Sequence, residues 1–83
     1  MELKLYYFET CPYCQIVLQV INQLNLKVYL INIHQEIDNR NYLYEKTGRY
    51  TVPCLFIDES PMHESYDIIN WLKKNQDRPD KNE

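Results

Sequence analysis

The chain has 83 residues, enough for one domain of thin stability and too few for a second with a core of its own. Its 9 basic and 12 acidic residues give a formal charge of -3 with no cluster of Lys or Arg, which argues against nucleic acid or an anionic membrane surface as a partner. No apolar run reaches the length of a membrane span and Met1-Glu2-Leu3-Lys4 has no signal-peptide character, so a cytoplasmic protein is the expectation.

Leu3, Leu5, Tyr6, Tyr7 and Phe8 form an almost continuous apolar run broken only by Lys4, the pattern of a strand buried on both faces. Ile16, Val17, Val20, Ile21 and Leu24 then recur at helical spacing, with Gln15, Gln19, Asn22 and Gln23 on the other side. Between strand and helix stands Cys11-Pro12-Tyr13-Cys14. The first turn of a helix offers unpaired N–H groups and the positive end of the dipole, and both favour a thiolate over a thiol. Cys11 is expected at the N-cap, with Pro12 at the first helical position, where its missing N–H costs nothing. Cys14 falls at the edge of the Val17–Ile21 stripe and is expected to face partly inward, leaving Cys11 as the exposed, ionised sulfur and Cys14 placed to attack a mixed disulfide formed on it.

The segment Lys27 to Ile33 is β-rich and nearly all apolar, which predicts a central parallel strand reached by a right-handed crossover. Ile37 to Thr47 predicts a short helix, capped by Asp38 or Asn39, packed by Leu43 and Tyr44 and stopped by Gly48, the only glycine. Pro53 stands at the entrance to the strand Cys54-Leu55-Phe56-Ile57-Asp58, and a further short strand is expected around Met62 after the Glu59-Ser60-Pro61 turn. Ser65 is the expected cap of a last helix, with Asp67 in its first turn and Ile68, Ile69, Leu72 and Trp71 packing inward. The order is βαβαββα, with a domain over residues 1–75. Residues 76–83 have no apolar member and are expected to form a charged, flexible tail.

Cys11-Pro12-Tyr13-Cys14, the Gly48-Arg49-Tyr50-Thr51-Val52-Pro53 stretch, the Leu55-Phe56-Ile57-Asp58 strand and the closing helix together resemble a glutaredoxin, from Leu3 to about Leu72. The resemblance implies an α/β thioredoxin fold, with a central four-stranded mixed sheet flanked by three helices. By position it makes Cys11 the nucleophile that becomes glutathionylated and Cys14 the resolving thiol. Tyr13 matches the aromatic beside the glutathione site, Val52 the residue whose backbone pairs with the cysteinyl part of glutathione, and Pro53 the cis-proline opposite the disulfide. The stretch Met62-His63-Glu64-Ser65-Tyr66-Asp67-Ile68 departs from the usual glutaredoxin pattern. It is closer to the Glu-Ser element of glutathione transferases and transferase-like glutaredoxins. Glu64 can pair with the α-ammonium of the γ-glutamyl end, while Ser65 and the helix N-terminus receive the α-carboxylate; the pair also reads as a plain helix cap. Phe8 stands where many glutaredoxins carry a Lys, which leaves Arg49 or Arg40 for the glycyl carboxylate.

The expected activity is glutathione-dependent thiol-disulfide exchange on glutathione mixed disulfides and protein disulfides. Glutathione is the expected co-substrate, with no tightly bound cofactor, no metal and a monomeric state expected. Two alternatives stay open: a carrier of a glutathione-ligated [2Fe-2S] cluster, and a thioredoxin-like donor recharged by a reductase. A zinc site is disfavoured, because Cys54, His34 and His63 are scattered singly and supply no second close pair. Cys54 reads as a packing residue and the two histidines as surface groups, with Tyr66 bordering the Glu-Ser element.

Overall fold

The computed structural model describes residues 1–76, and the charged tail expected from residue 76 onward lies, apart from Gln76, outside them. The elements are β1 (Leu3–Tyr7), α1 (Pro12–Gln23), β2 (Tyr29–Asn32), α2 (Ile37–Thr47), β3 (Cys54–Ile57), β4 (Ser60–Met62) and α3 (Ser65–Lys74), in the βαβαββα order expected. They build one four-stranded sheet in the order β2-β1-β3-β4, with β1 and β2 parallel and the other two pairings antiparallel.

The two-residue period of a strand explains how β1 and β3 serve two cores. Leu3 and Leu5 of β1 and Leu55 of β3 point to one face, where Val17, Val20 and Ile21 of α1 and Ile68 and Leu72 of α3 cover them. Tyr6 of β1 and Cys54 and Phe56 of β3 point to the other face, covered by Leu43 of α2 and by Ile33. There the Tyr6 ring stacks on Tyr42 at 5.9 Å and meets Phe56 at 5.2 Å. Gly48 closes α2 at φ 76°, a left-handed position that costs glycine nothing, and its amide returns to the Tyr44 carbonyl.

Three local expectations need correction. β2 is an edge strand, with Tyr29 and Leu30 each about half exposed (51% and 50%), because β1 is flanked on its other side by β3. The cap of α2 is Glu36, one residue ahead of the helix, and it makes no side-chain cap bond; Asp38 already lies in the first turn. The turn before β4 is shifted back: Ser60 and Pro61 belong to the strand, which pairs Ile57 with Ser60 around Asp58 and Glu59. Proline is tolerated there because β4 is the opposite edge of the sheet.

Candidate functional site

The first of the predicted site residues follow β1 across a short turn. Cys11 is the N-cap of α1, with extended backbone (φ -82°, ψ 114°) and a carbonyl that accepts from the Gln15 amide at 3.0 Å. Pro12 follows within the first turn. Cys11 Sγ accepts a hydrogen bond from the Cys14 amide at 3.3 Å, so the sulfur takes the place that a Ser or Asp oxygen takes in an ordinary cap. That contact also corrects the expected exposure. The side chain is turned back onto the helix, and Cys11 is only 6% exposed, although still more accessible than Cys14 at 0%. Burial pushes the Cys14 thiol up to about 12; its hydrogen bond with Cys11 adds to this, and a backbone hydrogen bond from Phe8 opposes it.

The loop before β3 supplies the second part. Thr51, Val52 and Pro53 run into the strand, and the Val52–Pro53 peptide is cis, as the resemblance implies. Val52 packs on the Tyr6–Phe56 core and Pro53 is buried, so this wall is anchored to the sheet.

The third part is the corner between β4 and α3. Glu64, and not Ser65, holds the cap position, and Ser65 is the first helical residue. The reason is the backbone of Glu64, which turns to φ 71° and ψ 112° and starts the helix one residue earlier than expected. A glutamate at positive φ is held there only by its surroundings, and such outliers gather at binding sites. The Glu64 side chain makes no cap hydrogen bond. Ser65 is the one buried polar side chain among the described residues, at 6% exposure.

These parts converge on a groove of about 420 Å³. Tyr13 enters it from α1, Thr51, Val52 and Pro53 from the loop, and Glu64, Ser65 and Tyr66 from the start of α3. All five residues expected to bind glutathione therefore line one cavity, of a size suited to a small peptide-like ligand. Cys11 and Cys14 do not line it; they flank Tyr13 in the adjoining turn. Thr51 is the lining residue that motif reading passed over, although it stands directly before the Val-Pro pair that reading singled out.

The candidate cations are placed differently from one another. Arg49 Nη2 lies 3.2 Å from Nδ1 of His63, on the turn leading to Glu64. Arg40 lies over the Tyr50 ring at 4.2 Å, and Tyr50 in turn stacks on Tyr44 at 4.7 Å. Cys54, on β3, is fully buried as the packing reading expects; burial raises its thiol to about 11, against a backbone hydrogen bond from Met62 and the nearby charge of Arg49.

A mixed sheet with α1 and α3 on one face, a capped Cys-Pro-Tyr-Cys turn and a cis-proline beside it define a thioredoxin-fold protein of the glutaredoxin-like kind. Residues 5–80 match the family described as glutathione S-transferase, N-terminal domain, and the chain belongs to that family. Over 50 residues it is 44% identical to a glutaredoxin from Vernicia fordii, a match covering 57% of this chain and 48% of that protein. The chain thus spans about half the length of the curated relative it matches. A wheat glutaredoxin structure superposes with a TM-score of 0.68 at 27% identity, covering 89% of this chain and 72% of the other. An epsilon-class glutathione S-transferase from the housefly Musca domestica gives a TM-score of 0.78 at 22% identity, covering 95% of this chain and 37% of that one.

Proposed function

We propose that the protein is a glutathione-dependent thiol-disulfide oxidoreductase that reduces glutathione mixed disulfides and protein disulfides through Cys11. The observation that carries this reading is the single groove in which Tyr13, Val52, Pro53, Glu64 and Ser65 meet beside the capped Cys11 turn. The γ-glutamyl end of glutathione lies against the α3 corner, its α-carboxylate on Ser65 and the helix N-terminus and its α-ammonium on Glu64. The Val52 backbone pairs with the cysteinyl part, which brings the glutathione sulfur toward Cys11. Arg49 is held by His63 and Arg40 lies over the Tyr50 ring; of the two, Arg40 is the one we assign to the glycyl carboxylate.

In the first step the Cys11 thiolate attacks the glutathione sulfur of a mixed disulfide. The old S–S bond breaks and the substrate leaves as a thiolate that takes a proton from solvent. Cys11 now carries glutathione. A second glutathione thiolate then attacks the bound glutathione sulfur, releasing glutathione disulfide and regenerating Cys11. The alternative resolution, attack by Cys14 on Cys11 with release of glutathione, is slowed by the burial that keeps Cys14 protonated. Such chemistry belongs in a thiol-reducing compartment, and the cytoplasm is the proposed location.

A coupled assay with a glutathionylated peptide tests the reading. Turnover is expected with glutathione and glutathione reductase and not with thioredoxin reductase. Turnover with thioredoxin reductase alone would instead identify a thioredoxin-like donor.

A further inference from the structure

The contact between Arg49 and His63 joins the two walls of the groove. Arg49 begins the loop that continues as Thr51, Val52 and Pro53; His63 immediately precedes Glu64 and Ser65. A guanidinium has only N–H donors, so Nδ1 of His63, 3.2 Å from Nη2, must be the acceptor. The ring is therefore the neutral tautomer with its proton on Nε2, and Nε2 is buried with no hydrogen-bond partner among the described residues. Two successive residues, His63 with an unsatisfied donor and Glu64 at positive φ, accept unfavourable local states at the corner that faces the ligand.

We propose that Arg49 and the neutral ring of His63 are a positioning pair that fixes the spacing between the Thr51–Pro53 and Glu64–Tyr66 walls, so that protonation of His63 opens the groove and weakens glutathione binding. The proposal rests on the reading of the groove as a glutathione site. A protonated ring turns its acceptor into a donor and places two cations 3.2 Å apart, which ends the contact. The charged and titratable groups around the ring are Arg49 from the opposite loop and Glu64 from its own turn. Cys54, which also feels Arg49, is an uncharged thiol near neutral pH. Burial and Arg49 hold the ring's titration below the ordinary imidazole value, against the pull of Glu64, so the contact persists at neutral pH and is lost on acidification.

The test uses S-methylglutathione, whose thioether cannot exchange with Cys11. Its affinity is measured by calorimetry from about pH 7.5 to about pH 5, a range that spans the ordinary imidazole titration. Protection of the Ile68 amide, which donates to the Glu64 carbonyl at 3.0 Å, is followed over the same range without ligand. Wild-type affinity is expected to fall on the order of tenfold toward acid, and Ile68 protection is expected to fall with it. His63→Asn, with an amide oxygen near the Nδ1 position and no proton to gain, is expected to be flat in both and to recover the binding lost in His63→Leu. Arg49→Gln, at an exposed site that does not threaten folding, is expected to be flat as well. A flat wild-type profile, or a slope that persists in His63→Asn and Arg49→Gln, overturns the pair. Intact pH-dependent protection with no binding at any pH would support the pair and reject the glutathione reading.

Discussion

Cys11 Sγ accepts the amide of Cys14 at 3.3 Å, so the two cysteines are linked through the backbone of one helical turn before any disulfide exists. Burial keeps the Cys14 thiol protonated, and a hydrogen bond of its own side chain with Cys11 adds to this. The two cysteines thus differ in access: Cys14 is fully buried, while Cys11 keeps 6% exposure.

Alkylation of the native protein tests this division. With Cys14 titrating near 12 and Cys54 near 11, their thiolate fractions at pH 8 are about one in ten thousand and one in a thousand. Iodoacetamide is therefore expected to label Cys11 first and alone over the time in which a denatured sample labels all three, as read by peptide mass spectrometry.

Stability against alkali follows from the same thiols. Both have folded values raised above the ordinary 9.0, so the stability they contribute is fully present below about pH 9 and is lost as pH rises toward 11 and 12. Urea unfolding between these limits is expected to show a falling stability in wild type and a flatter profile in Cys14→Ala, whose cost at neutral pH is a separate, pH-independent loss of packing.

Glu64 separates binding from folding. Glycine at this position removes the positive-φ cost, on the order of 1 kcal/mol, while deleting the carboxylate. Glu64→Gly is expected to unfold at equal or higher denaturant concentration than wild type. Its affinity for S-methylglutathione is expected to fall by tenfold or more, in line with a charge-assisted hydrogen bond of about 1.5–3 kcal/mol. A stability loss without a binding loss would make Glu64 a helix cap and nothing else.

The assignment of the glycyl carboxylate is tested by Arg40→Gln. An exposed ion pair is worth about 0.2–1 kcal/mol, so the KM for glutathione is expected to rise by up to about fivefold with kcat unchanged. An unaltered KM would remove Arg40 from the site.

Much of the frame was legible because the period of the apolar residues reported it directly. The continuous run Leu3–Phe8 marked a strand serving two cores, and the Val17–Ile21 stripe marked the face of α1 that covers one of them. What the sequence did not show was set by distant partners. Tyr29 and Leu30 are apolar and yet exposed, because edge or centre is decided by which strand pairs with β1. Cys11 was correctly placed as a cap, but its burial depends on the sulfur turning onto its own helix. The start of α3 was misplaced by one residue because the positive φ of Glu64 has no signature in a residue type that rarely adopts it. The Arg49–His63 contact joins residues 14 apart in sequence, and neither His63 nor its spacing announced a partner.

The most direct test of the account is to incubate Cys14→Ser with glutathione disulfide and map the product by mass spectrometry. One glutathione on Cys11, removed by added glutathione, is the predicted result. An adduct confined to Cys54, or none at all in a folded protein, would contradict it.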